Sequence, residues 1–270
     1  MKPAKFTYHA PATLEEAFRL LVEYDDEAKI IAGGQSLIPL MNLRLAQPEH
    51  LIDITGLSEL TGILKQEGRL VIGALTRHSE VLESEEVQEC CPVLNRAASF
   101  IGHLAIRNRG TIGGSLSHAD PAAEWALMAF LLDAEVTVRS AGGARTAQVG
   151  DFIQSVYTSD LETGEILTAV SFPLLESGEG WSLQQISRRA GDFAIVAVAV
   201  TLHLTDSGEI NRLRLAVGGM DSTPLRLLEV ERAALGQTPD TDWIRSVCAA
   251  AAKSGAPESD IHAGAAYLSL

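Results

Sequence analysis

The stretch Lys29–Arg44, KIIAGGQSLIPLMNLR, decides how this chain is read. Its apolar run Ile30-Ile31-Ala32 has the composition of a buried strand, and Gly33-Gly34 ends it. Gln35-Ser36 follow, then the apolar segment Leu37-Ile38-Pro39-Leu40-Met41. Adjacent glycines reach backbone conformations closed to other residues, so successive N–H groups can converge on one concavity. Such a nest binds anions, and this loop holds no side-chain cation of its own. The arrangement occurs twice, because Gly110-Thr111-Ile112-Gly113-Gly114-Ser115 again sets two glycines beside a hydroxyl. One Gly-Gly pair most often makes only a turn. Two, each leading into an apolar segment, point to one ligand held at two phosphates, or at phosphate and ring: a dinucleotide.

The composition limits the partners. A formal net charge of −14 disfavours nucleic acid and anionic membrane surfaces. A phosphate-bearing ligand is then held locally, by amides and helix ends, against an unfavourable overall field. The 270 residues suffice for one large domain or two smaller ones, and the 46% hydrophobic and 21% charged fractions are those of a folded soluble protein. Cys90, Cys91 and Cys248 form no C-x-x-C pair, so the chain alone cannot ligate an iron–sulfur cluster or a structural zinc. They read as free thiols of a reducing compartment. No apolar run of signal-peptide or transmembrane length occurs, and the expected location is the cytoplasm.

Around the opening stretch the pattern predicts a small β-α-β lobe. Phe6–His9 reads as a strand, Thr13-x-x-Glu16 as a capping box, and Leu14, Ala17, Phe18, Leu21 and Val22 fall at helical spacing. Leu51–Ile54 is the next strand, and Ile63-Leu64 and Leu70–Ile72 flank Gln66-Glu67-Gly68 as a hairpin. Helices are predicted over Ser79–Cys90 and Val93–Ile101, the second opened by Pro92. A third is capped by Asp120, with Pro121 at its first position, and runs through Trp125, Met128, Ala129 and Leu132. Glu135–Arg139 and Ile166–Phe172 read as strands separated by the glycine-bearing segment Ala141–Gly164. Pro173–Gly180 reads as a linker. Beyond it, Phe193–Leu204 and Arg212–Gly218 read as strands, and Leu225–Leu235 and Trp243–Lys253 as helices, which suggests a separate α+β unit.

Common catalytic signatures are missing. There is no G-x-G-x-x-G opening a helix and no G-x-x-x-x-G-K-[ST], which disfavours a Rossmann dehydrogenase and a P-loop NTPase. No H-E-x-x-H, G-x-S-x-G or paired-carboxylate motif calls for a hydrolase. With a helix starting at Pro121, Asp120 and Glu124 share one face; Asp120 is then an N-cap, and Glu124 either faces the ligand or complements the helix dipole. Arg107 and Arg109 can neutralise phosphate or lie solvated, as can Arg188 and Arg189. His103 and His118 flank the second glycine segment without an evident nucleophile or metal partner.

Four segments together resemble the FAD-binding middle subunits of molybdenum hydroxylases, the carbon monoxide dehydrogenase and xanthine dehydrogenase family. They are AGGQSLIPLMNLR (32–44), IRNRGTIGGSLSHADPAAE (106–124), YTSDLETGEILTAVSFP (157–173) and RRAGDFAIV (188–196). The resemblance covers nearly the whole chain. It implies an α+β fold with a PCMH or vanillyl-alcohol-oxidase-type FAD-binding domain at 1–176, built of lobes at about 1–55 and 56–176, followed by a carbon monoxide dehydrogenase flavoprotein C-terminal α+β domain at 177–270. By the same resemblance, Ala32, Gly33, Gly34, Gln35, Ser36 and Leu37, with Thr111, Ile112, Gly113, Gly114 and Ser115, contact the FAD pyrophosphate and ring. Ile101, Asp120, Glu124 and Leu167 are further cofactor-binding candidates, and no catalytic or metal-ligating residue is assigned. The implied partners are a molybdopterin-binding large subunit and a small subunit with two iron–sulfur clusters, in a dimer of heterotrimers. Electrons reach FAD from the clusters and leave to a quinone, NAD, dioxygen or another acceptor, with the flavin carrying the redox step.

Two departures stand out. Family members often carry a lysine just before the RRAGDF-like stretch, where this chain has Gln184-Gln185. The chain also stops at Tyr267-Leu268-Ser269-Leu270, where relatives usually continue into a basic terminal helix, and weaker subunit docking or a free-standing flavoprotein is the expectation. Three readings follow in order: an electron-transfer FAD subunit, a stand-alone FAD-dependent oxidase or dehydrogenase acting on a small molecule, and a scaffold without cofactor.

Overall fold

The computed structural model describes residues 1–254 and residue 264. The terminal residues 267–270 lie outside that range. In the first lobe, β1 (Thr7–His9), α1 (Leu14–Tyr24), β2 (Ala28–Ile31), α2 (Leu37–Asn42) and β3 (His50–Asp53) alternate strand and helix. The three strands are all parallel, in the order β1-β3-β2, and parallel neighbours need crossovers, which the two helices supply. Thr13 Oγ1 accepts the Glu16 N–H at 3.2 Å and starts α1. The predicted capping box is only half formed, because Glu16 Oε2 reaches past Thr13 to the Ala12 N–H at 2.9 Å. One face of α1 buries Leu14, Ala17, Phe18 and Leu21 against Ile52, Ile54, Leu57 and Leu60. Each of the larger side chains contributes about 1.5–3 kcal/mol relative to exposure.

The second lobe opens with β4 (Ile63–Gln66) and β5 (Arg69–Gly73), joined where Glu67 (φ 50°) and Gly68 (φ 75°) both turn left-handed. The helix expected over Ser79–Cys90 is two, α3 (His78–Glu83) and α4 (Glu85–Cys90), since Ser84 is extended and its Oγ caps the Val87 N–H at 3.2 Å. Then come α5 (Pro92–Phe100), α6 (Leu104–Arg107), α7 (Ile112–His118) and α8 (Glu124–Leu131). The segment read only as a glycine-bearing connection contains β7 (Gly143–Gln148), paired with β6 (Glu135–Ser140), then α9 (Val149–Phe152), β8 (Ile153–Ser155) and β9 (Thr158–Ser159). Its residues are mostly exposed, so β7 lacks the apolar alternation that betrays a half-buried strand. With β10 (Ile166–Pro173), the sheet order is β4-β5-β10-β6-β7, antiparallel throughout.

The third unit is an antiparallel sheet of β11 (Gly180–Ile186), β12 (Val196–Leu204), β13 (Ile210–Gly218) and β14 (Leu225–Arg226), followed by α10 (Leu228–Ala234) and α11 (Thr241–Ala251). The helix predicted from Leu225 therefore starts three residues later, its first two residues being an edge strand. The linker read at Pro173–Gly180 is short and tied down: Pro173 ends β10, Gly180 begins β11, and Leu175 N–H bonds the Cys90 carbonyl at 3.0 Å. Helix α8, apolar all round, is buried between the second lobe and the third sheet. Arg226 clamps it there, donating to the Phe130 carbonyl at 3.0 Å and to Asp133 Oδ1 at 2.8 Å. Nearby, the fully buried Glu179 carboxylate takes Arg212 at 2.9 Å and Arg214 at 3.1 Å. Among the described residues no helix is long and apolar enough to cross a membrane.

The two lobes meet backbone to backbone. A Cβ on Gly33 would lie 2.2 Å from the Arg109 carbonyl oxygen and 2.6 Å from the Gly110 Cα. Overpacking against main chain has no flexible neighbour to absorb it, so Gly33→Ala is expected to destabilise the chain by about 3 kcal/mol in urea titrations. Gly150→Ala, where an added Cβ meets nothing within 4 Å, is expected to stay within about 0.5 kcal/mol of wild type.

Candidate functional site

Strand β2 delivers the first glycine segment to the lobe junction. Gly34 sits at φ 71°, and the loop is braced by Gln35 Nε2 on the Gly33 carbonyl at 3.0 Å and by Ile38 N–H on the Gly34 carbonyl at 3.1 Å. The N–H groups of Gly33, Gly34, Gln35, Ser36 and Leu37 donate to no acceptor among the described residues. Five consecutive unpaired donors at a helix start are an anion cradle.

The second segment behaves differently. It is the first turn of α7, with Thr111 as N-cap, and its amides are already committed. Ile112 N–H bonds the Thr76 carbonyl at 3.1 Å, Gly113 N–H the Ala74 carbonyl at 2.9 Å, Gly114 N–H the Thr111 Oγ1 at 3.1 Å and Ser115 N–H the Thr111 carbonyl at 3.0 Å. The expectation of two amide cradles is thus corrected to one. Gly113 lacks a side chain for packing, since a Cβ would lie 2.4 Å from the Ala74 Cβ. Gly114 is exposed instead, and a Cβ there would lie 3.8 Å from the Ala32 Cβ. Ala32 and Gly114 together make a floor without bulk beside the free amides.

Beneath that floor lies a pair that sequence reading passed over. A Cβ on Gly110 would come within 2.5 Å of His78 Nε2, and His78 Nδ1 accepts the Trp125 indole N–H at 2.9 Å. Burial, then the nearby Arg107 charge, lowers the His78 pKa to about 4, so the ring stays neutral and can accept. A lone histidine opening a short helix carries no sequence signal. Arg107, read as a solvated or phosphate-neutralising loop residue, turns inward and donates Nη1 to the Ile101 and Gly102 carbonyls at 3.0 and 2.8 Å.

Asp120 and Glu124 do not share a helix. Asp120 Oδ1 accepts the Ala122 N–H at 2.9 Å and makes Pro121-Ala122 a turn, so α8 begins at Glu124 itself. Glu124 is only 5% exposed, and among the described residues no other side chain bonds its carboxyl. Burial raises its pKa to about 7, with its own backbone amide opposing and the Asp120 charge adding to the rise. Asp120 Oδ2 faces Tyr157 Oη at 3.4 Å, and Tyr157 stacks on His118 with centroids 4.9 Å apart. Ile101 is half-buried at the end of α5, and Ser115 half-buried on α7. Leu167 lies on β10 opposite Val138, its side chain within the main core at 3% exposure.

A lobed α+β chain with an anion cradle at the lobe junction belongs to the class of nucleotide-cofactor proteins. Residues 4–175 match the FAD binding domain in molybdopterin dehydrogenase, and residues 181–269 the CO dehydrogenase flavoprotein C-terminal domain. The chain belongs to that family of FAD-binding dehydrogenase subunits. It is 40% identical, over 99% of its length and 90% of the relative's, to the 6-hydroxypseudooxynicotine dehydrogenase complex subunit alpha of Paenarthrobacter nicotinovorans. Carbon monoxide dehydrogenase from Hydrogenophaga pseudoflava superposes with a TM-score of 0.96 at 35% identity, covering 100% of this chain and 93% of that one. Quinoline 2-oxidoreductase from Pseudomonas putida 86 gives 0.95 at 34% identity, covering 100% and 93%.

Glu124 has a measurable signature. Its ionised form is disfavoured in the fold, so the protonated acid's contribution is full below the ordinary pKa of 4.5 and is lost as pH rises towards about 7. The loss amounts to about 3 kcal/mol. Glu124→Gln is expected to remove it: in the flavin-free chain, urea titrations at pH 8 should find the variant more stable than wild type by about that amount, and the two alike near pH 4.

Proposed function

We propose that this chain is the FAD-carrying electron-transfer subunit of a cytoplasmic molybdenum hydroxylase. It works with a molybdopterin-binding large subunit and a small subunit holding two iron–sulfur clusters, assembled as a dimer of heterotrimers. The observation that carries the reading is the run of five unpaired amides, Gly33 to Leu37, beside a floor without bulky side chains at Ala32 and Gly114. That donor set fits a pyrophosphate, which needs several N–H groups and close backbone approach, in a chain whose net charge of −14 gives no general attraction for it. The names of the relatives support the partnership, since one is a dehydrogenase complex subunit and another a carbon monoxide dehydrogenase medium chain.

FAD, when bound, supplies conversion between one-electron and two-electron transfer. The chain's residues do the rest. Gly33–Leu37 hold the pyrophosphate; Ile112 and Gly113, bonded back to Thr76 and Ala74, and the N-cap Thr111 keep the floor fixed; Ser115 borders it. Ile101, Asp120, Glu124 and Leu167 are assigned to the flavin surroundings. Glu124 holds a proton that it can release near neutral pH. The sequence has glutamine at 184, where relatives often have lysine, and its side chain is exposed, so no cation comes from that position. The molybdenum partner selects the organic substrate.

Purified chain is expected to be yellow and to oxidise no organic substrate until the large and small subunits are added. Turnover by the isolated chain would establish a stand-alone flavin oxidase instead. Gly114→Val is expected to abolish flavin retention, read from the visible absorbance of the purified protein. A Cβ there also comes within 2.8 Å of Thr111 Oγ1, so thermal melts of flavin-free wild type and variant serve as the control for cap damage. A variant that stays fully yellow removes Gly114 from the site.

A further inference from the structure

We propose that the outer face of α2, with the turn that ends it, is the docking surface for an acidic protein partner, the cluster-bearing small subunit. The choice of partner rests on the electron-transfer reading above; the surface itself rests on the side chains it exposes. Ile38, Pro39, Leu43 and Leu45 all stand in water, the leucines at 53% and 73% exposure. Met41 is the residue of α2 that is fully buried. Apolar side chains gathered on one exposed element and rimmed by polar ones mark a surface that another molecule covers.

The backbone fixes how these side chains are presented. Leu45 N–H bonds the Leu40 carbonyl at 2.9 Å and Arg44 N–H the Met41 carbonyl at 3.0 Å, the pair of bonds that closes a helix through a left-handed residue. Glycine is favoured at that position, and this chain has Arg44 there, at φ 60°. In such a turn the next residue commonly folds back on the helix, whereas Leu45 projects into water. Strain is thus retained and an apolar contact given up, and the result is a guanidinium set between two exposed leucines. Arg44 Nε meets the Lys2 carbonyl at 3.5 Å, which brings the N-terminal arm, with exposed Lys2 and Lys5, beside the turn.

Charge selects the occupant. No Asp or Glu occurs in residues 1–14 or 28–48, in a chain whose net charge is −14. A second copy docked by two-fold symmetry sets these cations against their own equivalents, which repel. Lys2, Lys5 and Arg44 also fall short of the roughly four to eight cations that hold a segment to anionic lipid. A protein patch that is apolar at its centre and carboxylate-rich at its rim satisfies both the leucines and the cations. Leu37, the last of the five free amides, is the first residue of α2, so a body seated here lies beside the cofactor cradle. Of the two proposed partners, the one that delivers electrons to the flavin is the one that needs this place.

Interferometric binding of the purified full chain to the isolated small subunit, and separately to the isolated large subunit, tests this, with sedimentation of the chain alone, flavin absorbance and thermal melts recorded for each variant. Wild type is expected to bind the small subunit with an association rate that falls as salt rises. Leu45→Asp should weaken that binding at least about tenfold, by setting a carboxylate against an acidic and apolar patch, with melting temperature and flavin content unchanged. Arg44→Gly should melt at or above wild type, since glycine takes the left-handed turn without strain, and still bind more weakly. A residue that merely holds the fold moves stability and binding in the same direction. Wild-type affinity in both variants overturns the docking surface alone. Losses confined to the large subunit, or to a self-association of the chain, give the face to that partner or to a second copy, and either result overturns the proposal. A wild type that binds neither subunit fails the electron-transfer reading, and the docking surface with it.

Discussion

Main chain resting on main chain is the constraint from which the rest of this structure follows. Gly33 lies so close to Arg109 and Gly110 that not even a methyl group fits between the lobes. The donors of the first segment are therefore placed against the floor of the second by peptide geometry, which has little freedom to drift. Gly110 is seated in turn on His78, His78 on the Trp125 indole, and Trp125 on α8, which Arg226 ties to the third sheet. A chain of contacts thus runs from the cleft to the far unit without crossing a flexible loop.

Much of this was legible in the sequence. The Leu14–Leu21 spacing gave the first helix, the Gln66-Glu67-Gly68 turn gave the hairpin, and the composition at Lys29–Arg44 gave a strand delivering a glycine turn. What failed had local physical causes. Thr111-Ile112-Gly113-Gly114 reads like the first loop because glycine pairs look alike in one dimension, yet the Thr76 and Ala74 carbonyls lie within reach of its amides and consume them. Asp120-Pro121 has the composition of a helix start, but the Asp120 side chain closes a turn, a competition built into aspartate. Strand β7 lies at a sheet edge with little apolar surface to announce it. At the site, glycine motifs were visible from composition, whereas the roles of His78 and the inward Arg107 exist only through partners distant in sequence.

The two glycine segments consequently divide the work. One presents unpaired donors; the other spends its donors on its own anchorage and contributes only an absence of bulk. The distinction follows from the ordinary requirement that buried amides be paired. Where tertiary structure supplies acceptors, a glycine turn becomes scaffold; where it supplies none, the same turn stays receptive. Electrostatics adds a second division. His78 is held neutral beneath the floor, while Glu124 is held near the middle of its titration, both mainly by loss of water.

The indole of Trp125 gives the molecule an optical gauge of its own. It is wholly buried, fixed in orientation by its bond to His78, and separated from the cleft floor by little more than that imidazole and Gly110. Trp181, by contrast, is 38% exposed on an edge strand, and Trp243, on α11, is half-buried far along the chain. Trp125, the one tryptophan fully out of water among the three, therefore emits furthest to the blue, from beside the cleft. An isoalloxazine lodged there would quench the Trp125 emission by resonance transfer, so that occupancy could be followed in real time without any label.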